Sequence, residues 1–180
     1  MSAKEFNVQG IKLTIIAKPA FEMIGYKTPA NLGDGSIARL IAQLSESGKM
    51  AKLAGTLHSP QQVWVCLSDC LSCGVNCSGF HVCCRVCVEK TENHDFSKFA
   101  DDELSVLRLP ASEWVLYESD IERASEILHK NDGGVYDLKN FGYKRNDNIS
   151  LHFDNEHECY NNGEWISGKT FYFLLPVVQM

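Results

Sequence analysis

Lys18-Pro19-Ala20-Phe21-Glu22-Met23-Ile24-Gly25-Tyr26 has a second copy in Leu109-Pro110-Ala111-Ser112-Glu113-Trp114-Val115-Leu116-Tyr117. Pro, Ala, Glu and Tyr recur without a gap at a constant offset of 91 residues, half the length of a 180-residue chain. The same order of elements follows each copy. Strand, helix, strand, strand read at 20–27, 37–46, 62–67 and 80–88, and again at 111–118, 120–130, 149–153 and 170–175. A β-α-β-β unit cannot cover both faces of its own sheet, so two of them are expected to pair about a pseudo-two-fold axis. The expectation is an α+β fold of duplicated β-α-β-β units. Its antiparallel sheet would carry helices on one face and a concave seam at the centre, where small molecules tend to bind. One domain over 1–180, with repeats at about 11–92 and 103–178, follows from that reading.

The individual elements rest on periodicity. Ile11 to Ile16 alternates apolar and polar residues, as a half-buried strand does. Pro19 and Pro29 bracket the first copy and read as hard stops, because proline removes a backbone donor and blocks helix. Ile37, Leu40, Ile41 and Leu44 fall at i, i+3, i+4 and i+7, one face of a helix that Ser47-Gly48 ends or weakens. Met50 to Thr56 reads as a short second helix or a loop. In the strand from Phe80, the residues Phe80, Val82, Cys84, Val86 and Val88 form one face, while His81, Cys83, Arg85, Cys87 and Glu89 form the other. Lys90 to Asp102 is polar and reads as irregular. Ser119-Asp120-Ile121-Glu122 looks like a capping box opening the second repeat's helix. The closing strand reads from Thr170 and stops at Pro176.

Composition excludes several classes. With 44% hydrophobic and 22% charged residues the chain matches a globular average. The longest apolar run, Phe171 to Val178, is well short of the ~20 residues a membrane helix needs. The N-terminus lacks the apolar stretch of a signal peptide, so a cytoplasmic protein without a membrane partner is expected. The net charge is −6 and no Lys/Arg cluster is present, which argues against direct nucleic-acid binding.

Four motifs recur in a familiar order: Lys18 to Gly25, Leu109 to Tyr117, the Gly142-Tyr143 turn, and Phe173-Leu174-Leu175-Pro176-Val177. From about Ile11 to Val178 the chain resembles the GyrI-like small-molecule-binding domain, also found as the effector-binding domain of AraC-type and MerR-type bacterial transcription regulators. The resemblance implies a duplicated β-α-β-β fold with a central groove for hydrophobic, often aromatic and cationic compounds, the habit of a multidrug binder. Some stand-alone members hydrolyse cyclopropane-bearing DNA-alkylating toxins with an acidic residue and aromatic groups in the groove. A fold running from residue 11 to 178 leaves no room for a helix-turn-helix, so the stand-alone form is expected.

One position departs from that family. Many members carry a glutamate in the last strand, four residues before its proline, facing a cationic ligand; here that residue is Tyr172. A tyrosine stacks on a ring or donates a hydrogen bond but stays neutral near pH 7. Glu118, on the strand face of Trp114 and Leu116, is the candidate for the missing carboxylate; the competing reading is a solvated side chain at a helix start. Trp114, Tyr172, Trp64 and Tyr117 are the candidate aromatic walls, although an aromatic on a strand is more often core.

Seven of the eight cysteines lie between Cys66 and Cys87. Cys70-x2-Cys73 and Cys84-x2-Cys87 have the spacing of zinc knuckles. A coherent set would combine Cys70, Cys73 and Cys77 from the cysteine-rich loop with one strand residue, Cys83, Cys87 or His81. The competing readings are small core residues, idle reduced thiols, or disulfides formed on oxidation. No cofactor is expected, with zinc as the alternative. The function expected is sensing, sequestration or detoxification of a small hydrophobic or aromatic, cationic ligand. Two alternatives stand beside it. One is a hydrolase opening a strained, cyclopropanoid electrophile, in which Glu118 or Glu22 would position water and Tyr172 would donate to the leaving oxygen. The other is a zinc-stabilised interaction protein working through its cysteine-rich loop.

Overall fold

The computed structural model describes residues 4–8, 10–31, 35–55, 63–69, 81–92, 94–100, 103–120, 138–149, 151–154, 159–161, 164–166 and 170–180. The elements follow the order β1 (Lys4–Val8), β2 (Ile11–Lys18), β3 (Phe21–Asn31), α1 (Ser36–Glu46), α2 (Lys49–Ala54), β4 (Trp64–Asp69), β5 (His81–Lys90), β6 (Ser105–Leu109) and β7 (Ser112–Asp120). A short 3-10 turn (Leu138–Phe141) comes next, then β8 (Tyr143–Arg145), β9 (Leu151–Asp154), β10 (Cys159–Asn161), β11 (Glu164–Ile166) and β12 (Thr170–Gln179). The fold is α+β and the strand pairs are antiparallel, as expected. Of the helix read at 120–130, Asp120 instead closes β7, and 121–130 lie outside the described residues.

The chain divides into two compact units. The first comprises Met1–Ala20, Pro110–Glu158 and Ser167–Met180; the second comprises Phe21–Leu109 and Cys159–Ile166. In the second unit the strand order is β4-β5-β3-β6, and in the first β9-β12-β7-β2, with β1 outside β2. The duplication is therefore one of topology as well as sequence. Its register agrees: Ile24 faces Val88 and Tyr26 faces Val86, just as Val115 faces Leu175 and Tyr117 faces Phe173. Tyr26 and Tyr117, 91 residues apart, are both buried. The strand that precedes each copy pairs with the other copy: β2 lies on β7, and β6 lies on β3. Neither unit is thus a contiguous repeat.

In the second unit Ile24, Tyr26, Val65, Cys84, Val86 and Val88 pack under Ile41, Leu44, Met50 and Leu53 of the two helices. Helix α1 buries the face read from its periodicity. Gly48, at φ 71°, lets the chain break from α1 into α2, a conformation that costs most residues a Cβ clash. The segment between β5 and β6 was expected to be merely polar, yet Phe96 and Phe99 pack against this core. In the first unit Leu13, Ile15, Val115, Tyr117, Phe173, Leu175 and Val177 enclose Leu138 and Tyr143.

Pro19 lies between β2 and β3 as read, but the stops at Pro29 and Pro176 are passed. Strand β3 runs through Pro29 to Asn31 and pairs with β5 throughout, but its pairing with β6 ends at Gly25. Beyond Gly25 it has one partner among the described strands, and a proline fits an edge where no donor is missed. Strand β12 runs through Pro176 to Gln179 because the neighbour changes there: β9 pairs at Phe173 and Leu174, and β8 from Val177. In the gap between them the Pro176 carbonyl accepts the Asn146 N–H at 2.9 Å.

Candidate functional site

In the first unit, β7 sends Val115 and Tyr117 into the core and Trp114, Leu116 and Glu118 to its other face. Strands β2 and β12 flank it and extend that face into three rows. Ile16, Trp114 and Pro176 form the first; Thr14, Leu116 and Leu174 the second; Lys12, Glu118 and Tyr172 the third. Directly opposed residues have Cβ atoms about 5 Å apart, so each row is a set of neighbours. Burial falls along the face. Trp114 is fully buried and Leu174 nearly so, Leu116, Glu118 and Tyr172 are half-buried, and Lys12 is exposed. An apolar floor thus leads to an accessible row holding one carboxylate beside one phenol.

The electrostatics leave that carboxylate available. Lys12 donates to Glu5 at 3.0 Å, and its pKa is raised first by that bond and the Glu5 charge, and only last by Glu118. Among the described residues no cation lies within ion-pair distance of Glu118. The aromatic candidates separate. Trp114, Tyr172 and Glu118 share one face, with Trp114 as its floor. Tyr117 projects to the opposite side, where it meets Phe173 edge-on at 5.8 Å in the core. Trp64 belongs to the second unit, on β4 opposite Cys87, whose thiol donates to the Trp64 carbonyl at 3.7 Å. Glu22 is held by Lys90 at 3.0 Å and Arg108 at 2.9 Å, which keep its carboxyl below the usual range, the Lys90 bond most strongly. It sits on the core side of β3, in line with Ile24 and Tyr26.

Cys70, Cys73 and Cys77 lie outside the described residues. Cys66, Cys83, Cys84 and Cys87 are fully buried and outside any disulfide. Burial pushes the Cys66 and Cys87 thiols well up, against the pull of the Arg85 charge. Among the described residues no three His, Cys, Asp or Glu side chains are grouped to hold a metal ion. Sequence reasoning did not bring Lys12, Ile16, Leu174 and Pro176 to this face. Their strand parity was readable, but not that β2 and β12 both flank β7.

No family model and no curated protein matches the chain in sequence. Solved structures do match. SAV2435 bound to tetraphenylphosphonium is similar over 99% of this chain and 94% of its own, at 12% identity and a TM-score of 0.62. The EcmrR C-terminal domain matches over 94% of this chain and 99% of its own, with 14% identity and a TM-score of 0.53. A hydrolase from Listeria innocua matches over 92% and 91%, with 12% identity and a TM-score of 0.51. At such identities the likeness is one of fold. Among the described residues no helix is long and apolar enough to cross a membrane. The exchanged leading strands, the duplicated strand order and these neighbours agree with the order of the sequence motifs: this chain has the fold of the GyrI-like small-molecule-binding domains.

Proposed function

We propose that the chain binds hydrophobic, aromatic cations on the face of β2, β7 and β12. The observation that carries this reading is the cross-strand pair Glu118–Tyr172 at the open end of an apolar floor. In a simple cation site a glutamate supplies both charge and contact. Here the two roles are divided: Tyr172 offers a ring to the cation's aromatic arms, and Glu118, one strand away, offers the charge. Half-buried Leu116 supplies apolar area worth about 25 cal/mol per Å² removed from water, over the buried floor of Trp114 and Leu174. That a protein of the same fold binds tetraphenylphosphonium supports the choice of ligand class. Sequestration or sensing of such compounds in the cytoplasm would follow, without a metal cofactor. The test is calorimetric titration with tetraphenylphosphonium. Saturable binding that weakens about five- to thirtyfold in Glu118→Gln supports the reading, since a charge pair near 4 Å at a half-exposed site is worth ~1–2 kcal/mol, the water-screened end of its range. Equal binding by that variant refutes it.

A second reading uses the same pair. A carboxylate beside a phenol is the minimum for adding water to a strained electrophile. Glu118 takes the water's proton as the water oxygen attacks a ring carbon, and the ring C–C bond breaks with its electron pair passing to the substrate's oxygen. Tyr172 hydrogen-bonds that oxygen, and the proton held by Glu118 ends on it. A hydrated product from a cyclopropanoid substrate, lost in both Glu118→Gln and Tyr172→Phe, identifies turnover. A ligand recovered intact identifies binding alone.

A further inference from the structure

The register that aligns the two units aligns Tyr172 with Arg85 and Glu118 with Lys27: β12 pairs Tyr172 with Glu118, and β5 pairs Arg85 with Lys27. The equivalent cross-strand pair is thus a carboxylate and a phenol in one unit and two cations in the other. Arg85 is 4% exposed, and a buried guanidinium ordinarily carries a carboxylate partner. This one has none. Its neighbours on the same face are Cys66 and Lys27 opposite, Cys83 and Cys87 along the strand, and Trp64, Ser68, Gly25 and Pro29 on the diagonals. No acid is among them. Among the described residues its hydrogen bond runs from Nη1 to the Ser68 hydroxyl at 3.2 Å, and its buried Nε meets no acceptor. The Cys66 and Cys87 thiols are held protonated by burial and supply no negative charge. Lys27, directly opposite, is exposed. The face therefore runs from a buried fork of donors to an accessible second cation.

We propose that this face of the second unit is a binding site for an oxyanion, a small carboxylate or phosphate whose oxygens take the free N–H groups of Arg85, with Lys27 at the entrance. A planar guanidinium matches two oxygens of such a group, and a buried one gains most from the match. The proposal is independent of cation binding on the first unit.

The test is thermal melting of the full chain in sodium benzoate or inorganic phosphate, against sodium chloride at equal ionic strength. One of the two oxyanions is expected to raise the melting temperature by about 5–10 °C at a hundredfold excess over its Kd. A response to benzoate identifies a carboxylate site, and a response to phosphate alone a phosphate site. Arg85→Met removes the buried charge. It is expected to melt at or above the temperature of the unliganded wild type and to lose the response. Should that variant not fold, Lys27→Met, an exposed substitution, serves instead and is expected to weaken the oxyanion's Kd at least threefold. No shift beyond chloride in the wild type overturns the proposal. So does a full response in Arg85→Met, or an unchanged Kd in Lys27→Met.

Discussion

Gly25→Ala is the substitution whose cost the structure determines most directly. Gly25 lies in β3 between β5 and β6, opposite Cys87 and Ser105. A Cβ there would overlap the Val86 carbonyl oxygen and come within 2.5 Å of Cys87 Cα and 2.7 Å of Cys87 Cβ. The obstacle is backbone, so no rotamer relieves it, and β5 must shift by roughly an ångström to restore ordinary contact. Overpacking of this kind costs about 1–3 kcal/mol, more where backbone is displaced. The smaller unfolded-state entropy of alanine returns about 0.4–1 kcal/mol. With the cost at the top of that range the expected net loss is about 2–2.6 kcal/mol, a fall of about 4–10 °C in melting temperature for a chain of this length. Circular dichroism melts of Gly25→Ala and of Gly25→Ala/Cys87→Ala measure it. Cys87→Ala removes only Sγ and leaves the blocking Cα and Cβ, so it should not rescue. A Gly25→Ala protein as stable as the wild type, or one rescued by Cys87→Ala, refutes the close approach of the two strands.

Cys66, Cys83, Cys84 and Cys87 are expected to resist a thiol reagent in the native protein and to react on unfolding; mass spectrometry of the labelled chain reads this, and native labelling at Cys66 or Cys87 would contradict their burial. Burial first, then the Glu103 carboxylate, pushes the Tyr26 phenol up to about 12. Its contribution to stability is therefore complete below pH 10 and lost as pH rises toward 12, and Tyr26→Phe should flatten that limb of the unfolding curve. Glu103 is held below the usual carboxylate range chiefly by Lys52, 3.0 Å away. Its contribution is present above the ordinary glutamate pKa and falls as acid protonates it, so Glu103→Gln should weaken the acid dependence of the melting temperature.

Local pattern made much of the fold legible. The 91-residue offset marks β3 and β7, and strand parity on β5 separates the valine face from the cysteine face. The i, i+3, i+4, i+7 spacing marks α1. What pattern could not supply was partnership between distant strands. Pro29 and Pro176 read as stops because their tolerance depends on which neighbour is missing beside them. Ser105–Leu109 alternates too, yet five residues carry too little period to stand out from the polar stretch before them. For the site, Trp114, Glu118 and the departure at Tyr172 were readable one strand at a time. That Glu118 lies opposite Tyr172 is a matter of register between β7 and β12. Arg85 is the converse case: its strand face was readable, but nothing local says that both faces of β5 are buried, and it is burial that makes an unpaired arginine informative.

The most direct test of the central claim compares two ligands of one shape and opposite charge. Tetraphenylphosphonium and tetraphenylborate present the same four rings to Leu116, Leu174 and Tyr172, and differ in sign toward Glu118. Calorimetry on the wild type should give at least tenfold tighter binding of the phosphonium, and on Glu118→Gln a gap that closes. Equal affinity of the two ions for the wild type, or a preference that survives Glu118→Gln, contradicts a cation site on this face.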